Sequence, residues 1–212
     1  MLNKLENNSE KLLILIIEDN KGDYVLIEDN LLEKFSKIEL IHHINFNHAA
    51  QYLQQSTVKP SVILLDLNLP DLEGIELVKA VVELSFQIPI IVLTGYSNLI
   101  MAESTIQLGV SDYLVKDELN PILLHKSIIF AISRNNYIKH IEIQNNNLNQ
   151  IAWTQSHILR APLSRILGIV HLLQEHEIDS EELSFLLEQI KISSNEMDTV
   201  VRKIVENTKT VD

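Results

Sequence analysis

"SVILLDLNLPDLEG", residues 61–74, decides how the rest of the chain is read. Val62, Ile63, Leu64 and Leu65 are apolar without interruption, and the run stops at Asp66. A short run that is apolar on both faces reads as a strand covered on each side, because an alternating pattern would leave one face to water. Four more short, mainly apolar runs that read as strands lie elsewhere along the chain: "LLILII" (12–17), "IELIHHI" (38–44), "IPIIVLT" (88–94) and "DYLV" (112–115). Helical patterns lie between them at about 23–34, 47–55, 74–84 and 97–107. Strands separated by helices cannot form hairpins, so the five runs imply a parallel sheet wound right-handedly with helices on both faces. Gly109, just before the last strand, suits a left-handed position at a helix C-terminus.

Composition limits what such a chain does. The 212 residues are 46% hydrophobic and 22% charged, which fits a globular protein of one large or two small domains. Only five Gly and five Pro are present, which favours long helices over an all-β sandwich. The net charge is −12 and no Lys/Arg cluster stands out, so no nucleic-acid partner is expected. The absence of cysteine excludes disulfides and thiolate metal sites and suits a cytoplasmic location. The apolar run at 12–17 is far too short to cross a bilayer, so no membrane partner is expected either.

In a doubly wound sheet, ligands bind beyond the carboxyl ends of the strands. Here those ends carry Glu18-Asp19, Asp66, Thr94-Gly95 and Lys116. Three carboxylates on one edge repel each other unless a cation neutralises them. Hard oxygen ligands around an open site favour Mg²⁺, and Lys116 adds a second positive charge. A carboxylate so placed can attack phosphorus to give an aspartyl phosphate, with Thr94 placed to hydrogen-bond a phosphoryl oxygen.

"IIEDN", "VILLDLNLPDLEG", "IIVLTG" and "DYLVKD" resemble, in order and spacing, the landmarks of the receiver domain of two-component response regulators. The resemblance covers about residues 10–135 and implies a flavodoxin-like strand order, 2-1-3-4-5. It implies Asp66 as phosphoacceptor and Asp19 as metal ligand, with Glu18 acting through water and the Asn68 carbonyl completing the site. It further implies Thr94 and Tyr113 as a switch pair, Lys116 as the phosphate-binding lysine, and a histidine kinase or other phosphorelay protein as partner. "EDNKGDYVLIEDNL" looks most like the small single-domain regulators that pair with photoreceptor kinases. One position departs from the pattern: Asp117 stands where a proline usually follows the lysine. A trans bond is expected there, since cis without proline costs about 2.5–4 kcal/mol.

Beyond Lys116 the strands stop. Asn120 and Pro121 open a helix as N-cap and first-turn residue. Apolar positions then recur three and four apart from Leu124 to Leu159, interrupted by Asn135, Asn145 and Gln155, and "QNNNLNQ" (144–150) reads as a point of fraying or hinging. Asp179 and Glu182 begin a second amphipathic helix as a capping-box-like pair. Two helices joined near 176–180 bury too little core alone. A second copy should complete a four-helix bundle, giving a homodimer through residues of about 140–208. The expected divisions are therefore a receiver at 10–125, a linker helix at 126–144 and a helical hairpin at 145–210.

"QSHILRAPLSRILG" (155–168) carries the chemistry of that hairpin. A helical wheel puts Trp153, His157, Arg160, Ser164, Gly168 and His171 on one face and Ile151, Ile158, Ile166, Ile169 and Leu173 mainly inward. His157 should reach solvent, where a neutral imidazole is a competent nucleophile toward phosphorus, and Pro162 should bend the helix just beyond it. The stretch resembles the histidine box of sensor kinases, the dimerisation and phosphotransfer hairpin, at His157, Arg160, Pro162 and Leu163. It departs at Ile158, where that family places an acid, and at Ala161. No Gly-rich lid or Asn-bearing ATP motif occurs in the 212 residues, so self-phosphorylation from ATP is not expected. His171 and His176 are five apart, not the four of a helical metal pair, and no transition-metal site is assigned. Three readings follow: a phosphorelay protein using Asp66 and His157, a phosphate-gated docking module in which His157 is silent, or a fragment of a hybrid kinase. A haloacid-dehalogenase-like phosphatase is set aside, because Asp66-Leu67-Asn68 follows the third strand and not the first.

Overall fold

The computed structural model describes residues 11–85, 87–95, 99–175 and 179–209. Five strands, β1 (Leu12–Ile17), β2 (Ile38–His43), β3 (Val62–Asp66), β4 (Ile90–Thr94) and β5 (Asp112–Val115), form one parallel sheet in the order β2-β1-β3-β4-β5. Helices α1 (Lys21–Lys34), α2 (Phe46–Gln55), α3 (Gly74–Leu84) and α4 (Leu99–Gln107) connect them. After β5 come a 3₁₀ turn, Lys116–Glu118, and two long helices, α5 (Pro121–Glu175) and α6 (Ser180–Lys209). The chain divides into two compact units, Met1–Lys139 and His140–Asp212.

The first unit shows why the runs of the three central strands, β1, β3 and β4, are so strongly apolar. Side chains alternate across a strand. Ile14, Ile16, Val62, Leu64, Ile91 and Leu93 pack on one face against Ile27 and Leu31 of α1 and Leu124, Ile128 and Ala131 of α5. Leu15, Ile17, Ile63, Leu65 and Val92 fill the other face with Ala49 and Leu53 of α2 and Leu77, Val78 and Val81 of α3. Each fully buried Leu, Ile or Val side chain contributes about 1.5–3 kcal/mol, so two such layers hold the sheet rigidly. The order of the strands turns back at β1, which pairs with both β2 and β3, and this opens a crevice past their carboxyl ends.

Loop chemistry fixes the entries to the helices. Asn20 caps α1, its side chain accepting from the N–H groups of Gly22 and Asp23, and Asn45 caps α2 through His48 N–H. Gly109 has φ +102°, the left-handed position expected of it. Asn120 accepts from Leu123 N–H at the start of α5, and Asp179 accepts from Glu181 and Glu182 N–H at the start of α6.

Four expectations change. β4 starts at Ile90 rather than at residue 88, because Ile88 N–H is used in a turn to Ser85 O. β2 stops at His43, leaving Ile44 exposed before the cap at Asn45. The polar tract 144–150 carries no break: α5 is helical through it. Ile158 is 50% exposed rather than inward, while Ile166, Ile169 and Leu173 are half-buried. Residues 97–98 of the fourth expected helix, the joint at 176–178 with His176, and the side chain of Ile151 lie outside what is described.

In the second unit Arg165 pairs with Glu196 across the two helices. Pro162 is inside α5 and buried, so apolar burial offsets part of the cost of its missing N–H. Leu163, Leu167, Leu172, Leu183 and Leu187 of this unit are exposed. No helix among the described residues is long and apolar enough to cross a membrane.

Candidate functional site

Four strand ends meet at the crevice. Glu18 follows β1 and is held there by its own N–H, which donates to His43 O on β2 at 3.0 Å. Asp66 is the last residue of β3, Thr94 the last of β4, and Lys116 follows β5 directly. Glu18 is 0% and Asp66 4% exposed. The Lys116 ammonium lies 2.7 Å from Glu18 Oε2, 2.7 Å from Asp23 Oδ2 and 3.2 Å from Asp66 Oδ1. One carboxylate oxygen each from Glu18, Asp19 and Asp66 falls within 4.8 Å of the others, with Asp19 on the exposed side.

Burial sets the electrostatics. It pushes the Glu18 carboxyl up to about 7, with the nearby Asp66 charge adding to the effect and Lys116 opposing it. Burial raises Asp66 as well, against the pull of Lys116 and of the backbone N–H groups of Asn68 and Leu67. Burial alone would lower Lys116; the carboxylates of Asp23, Glu18 and Asp66 outweigh it, and its pKa is raised. Lys116 is therefore a fixed cation amid an excess of anions.

A divalent cation fits this donor set. Among the described residues, the buried Glu18 Oε2 and Asp66 Oδ1 face no donor but the Lys116 ammonium. Two buried carboxylate oxygens that share a single lysine, beside a solvent-facing third, leave the lone pairs a hard cation needs to bind while keeping several waters. Asn68 is exposed just past Asp66, where it forms an isolated bridge with Glu73.

Against known families, residues 14–128 match the model of the response regulator receiver domain. The chain belongs to that family. The receiver match takes in Glu18, Asp19, Asp66, Asn68, Thr94, Tyr113 and Lys116, and stops short of the second unit. Response regulator Rcp1 of Synechocystis is 35% identical over 119 residues, covering 52% of this chain and 80% of Rcp1. The transcriptional regulator NtrC of Proteus hauseri is 36% identical over 102 residues, covering 45% of this chain but only 22% of NtrC. The chain thus spans under a quarter of the length of that larger relative. Among solved structures, the bacteriophytochrome response regulator AtBRR superposes with a TM-score of 0.50 at 26% identity, covering 57% of this chain and 93% of AtBRR.

Within the receiver, Thr94 and Tyr113 sit on one face of the sheet. β4 and β5 pair Val92 with Tyr113 and Thr94 with Val115, so Thr94 is the diagonal neighbour of Tyr113. Tyr113 is half-buried against the layer that contains Val92 and α3. Asp117 continues the backbone in trans into the 3₁₀ turn.

Sequence reasoning missed three residues here. Asp23, in the first turn of α1, bonds Lys116 from 93 positions away. His42 reaches Glu18 O with Nε2 at 2.7 Å and stacks on Tyr24 at 3.9 Å between ring centroids. Asp71 accepts from the N–H groups of Phe46 and Asn47, capping α2 from another loop. Only Asp23 left a trace in the sequence, as an acid in a first turn, where the helix dipole favours one.

His157 and Arg160 lie on α5 in the second unit and are exposed, and Pro162 is buried near them in sequence. The Trp153 ring lies 5.4 Å from the His157 ring, tilted by 48°.

Proposed function

We propose that this receiver takes a phosphoryl group on Asp66 from a partner histidine kinase, with Mg²⁺ held by Glu18, Asp19, Asp66 and the Asn68 carbonyl. The observation that carries the reading is the buried Asp66 carboxylate with a lysine ammonium 3.2 Å away. Asp66 attacks phosphorus, and the bond from phosphorus to the donor imidazole nitrogen breaks. The donor ring, protonated on its other nitrogen, leaves neutral. Lys116 supplies positive charge to the equatorial oxygens, and Thr94 donates its hydroxyl to one of them. Bound Mg²⁺ supplies charge neutralisation between the acidic residues and the incoming phosphoryl group. Movement of Thr94 then gives the half-buried Tyr113 room to turn inward, which alters the β5 edge. Likeness to AtBRR favours a photoreceptor kinase as donor.

The second unit then serves as a dimeric histidine phosphotransfer hairpin. His157 exchanges phosphate with an aspartate, Arg160 and Pro162 shape its surroundings, and a second copy covers residues of about 140–208. The exposed leucines of α5 and α6 support the dimer. A second reading, in which the hairpin only dimerises and His157 is silent, draws on Ile158: an exposed apolar residue directly after the histidine cannot act as a base.

Labelling with acetyl phosphate and Mg²⁺ tests both. Wild type should gain a base-labile acyl phosphate that Asp66→Asn lacks. A partner-dependent, acid-labile label lost in His157→Gln marks the relay, and its absence with every phosphorylated partner supports the dimer-only reading. A wild-type chain that takes up no label overturns the phosphoacceptor assignment.

A further inference from the structure

Three carboxylates surround the Lys116 ammonium, but they do not share it equally. Asp23 Oδ2, at 2.7 Å, accepts a well-formed hydrogen bond from Nζ. Glu18 Oε2 is equally close to the same nitrogen at 2.7 Å, and Asp66 Oδ1 is farther at 3.2 Å. The ammonium thus lies nearer to Asp23 and Glu18 than to the residue assigned to receive phosphate. Asp23 is also the open member of the three, with its side chain 36% exposed against 0% for Glu18 and 5% for Asp66. It stands at the mouth of the site and outside the carboxylate cluster fitted to a cation. Its position is fixed locally, because its own N–H donates to Asn20 Oδ1 at the start of α1.

We infer that Asp23 is a positioning residue for Lys116: it tethers the ammonium in the resting receiver and yields it when a phosphoryl group arrives. The inference rests on the phosphoacceptor reading of Asp66. Two physical consequences follow. An arriving anion must compete with Asp23 for the lysine, so the tether weakens anion binding at the site. The carboxylate also repels that anion directly, since both charges lie on the solvent side. Replacing Asp23 by its isosteric amide removes the charge and so weakens the competition, while leaving Glu18, Asp19 and Asp66 untouched.

The test uses the full chain and the phosphoryl mimic fluoroberyllate with Mg²⁺, with binding followed by ¹⁹F NMR. Asp23→Asn should bind the mimic roughly three- to tenfold more tightly than wild type, the effect of losing one partly exposed charge-assisted bond. Asp29→Asn, an exposed acid on the same helix, removes the same formal charge and controls for long-range electrostatics. Mn²⁺ affinity of Asp23→Asn should stay within about twofold of that control, which separates a tether from a general loosening of the site. Asp23→Glu should return the affinity toward wild type. Equal tightening in both amide variants, or weaker binding in Asp23→Asn, overturns the inference. A wild-type chain that binds no fluoroberyllate and takes up no phosphate removes the phosphoacceptor reading itself, and the tether with it.

Discussion

Glu18→Gln should stabilise the metal-free receiver at high pH, and the size of the effect follows from burial. The Glu18 carboxyl is 0% exposed and its pKa is pushed from an ordinary 4.5 up to about 7. Between those values the folded chain holds a proton that the unfolded chain has released. Stability is therefore intact below about pH 4.5 and falls as pH rises toward 7. At about 1.4 kcal/mol per pH unit the full loss is about 3 kcal/mol. The uncharged amide of the variant escapes that loss, while Lys116 keeps Asp23 and Asp66 as partners. Urea denaturation in chelator, at pH 5 and pH 8, compares the two chains, and amide exchange of β3 reports on the sheet alone. The variant should gain about 2–3 kcal/mol on wild type at pH 8 and much less at pH 5. Saturating Mg²⁺ should close the gap, since ligand at a hundred times its dissociation constant adds about 2.7 kcal/mol to the chain that binds it. A variant no more stable than wild type at pH 8 in chelator, or a gap that ignores pH, would refute the reasoning.

Leu64→Ala, at a fully buried site in the central strand, should cost about 2–5 kcal/mol, read as a drop in urea midpoint. Asp71→Ala should cost about 1 kcal/mol by removing the cap on Phe46 and Asn47 N–H, with amide exchange rising in the first turn of α2. Gly109→Ala should cost about 1 kcal/mol or more, because φ +102° is closed to a Cβ although the space around it is open; thermal unfolding of the receiver measures it. Asp66→Asn should abolish the base-labile label and also reduce Mn²⁺ affinity, as titration calorimetry would show.

The sheet was legible because β1, β3 and β4 are short apolar runs with polar or turn residues at their ends, and β2 and β5 are rich in apolar and aromatic residues. β1 and β5 begin and end where their runs do, and α3 fills the span from Gly74 to Leu84 expected of it. Edges shifted where a backbone group had another use, as at Ile88, whose N–H closes a turn. The acidic crevice was legible for a topological reason: a parallel sheet places the ends of β1, β3 and β5 together whatever the loops do. The bonds of Asp23, His42 and Asp71 were not, because each joins loops or elements through side-chain reach, and no local pattern encodes reach. The surface of α5 was misread at Ile158 because an unbroken stripe of isoleucines does not say which of them a partner helix covers.

The placement of the reactive groups among the strands divides labour by stiffness. Asp66 hangs from β3, which has a bonded neighbour on either side and is buried along its length. Tyr113 hangs from β5, a border strand of four residues, and Lys116 follows it directly. Local opening begins at borders and reaches the centre last. On the proposed reading, the anvil on which phosphate would land is thus bolted to the least deformable part of the sheet, and the lever that would feel the blow is mounted on one of the easiest to shift.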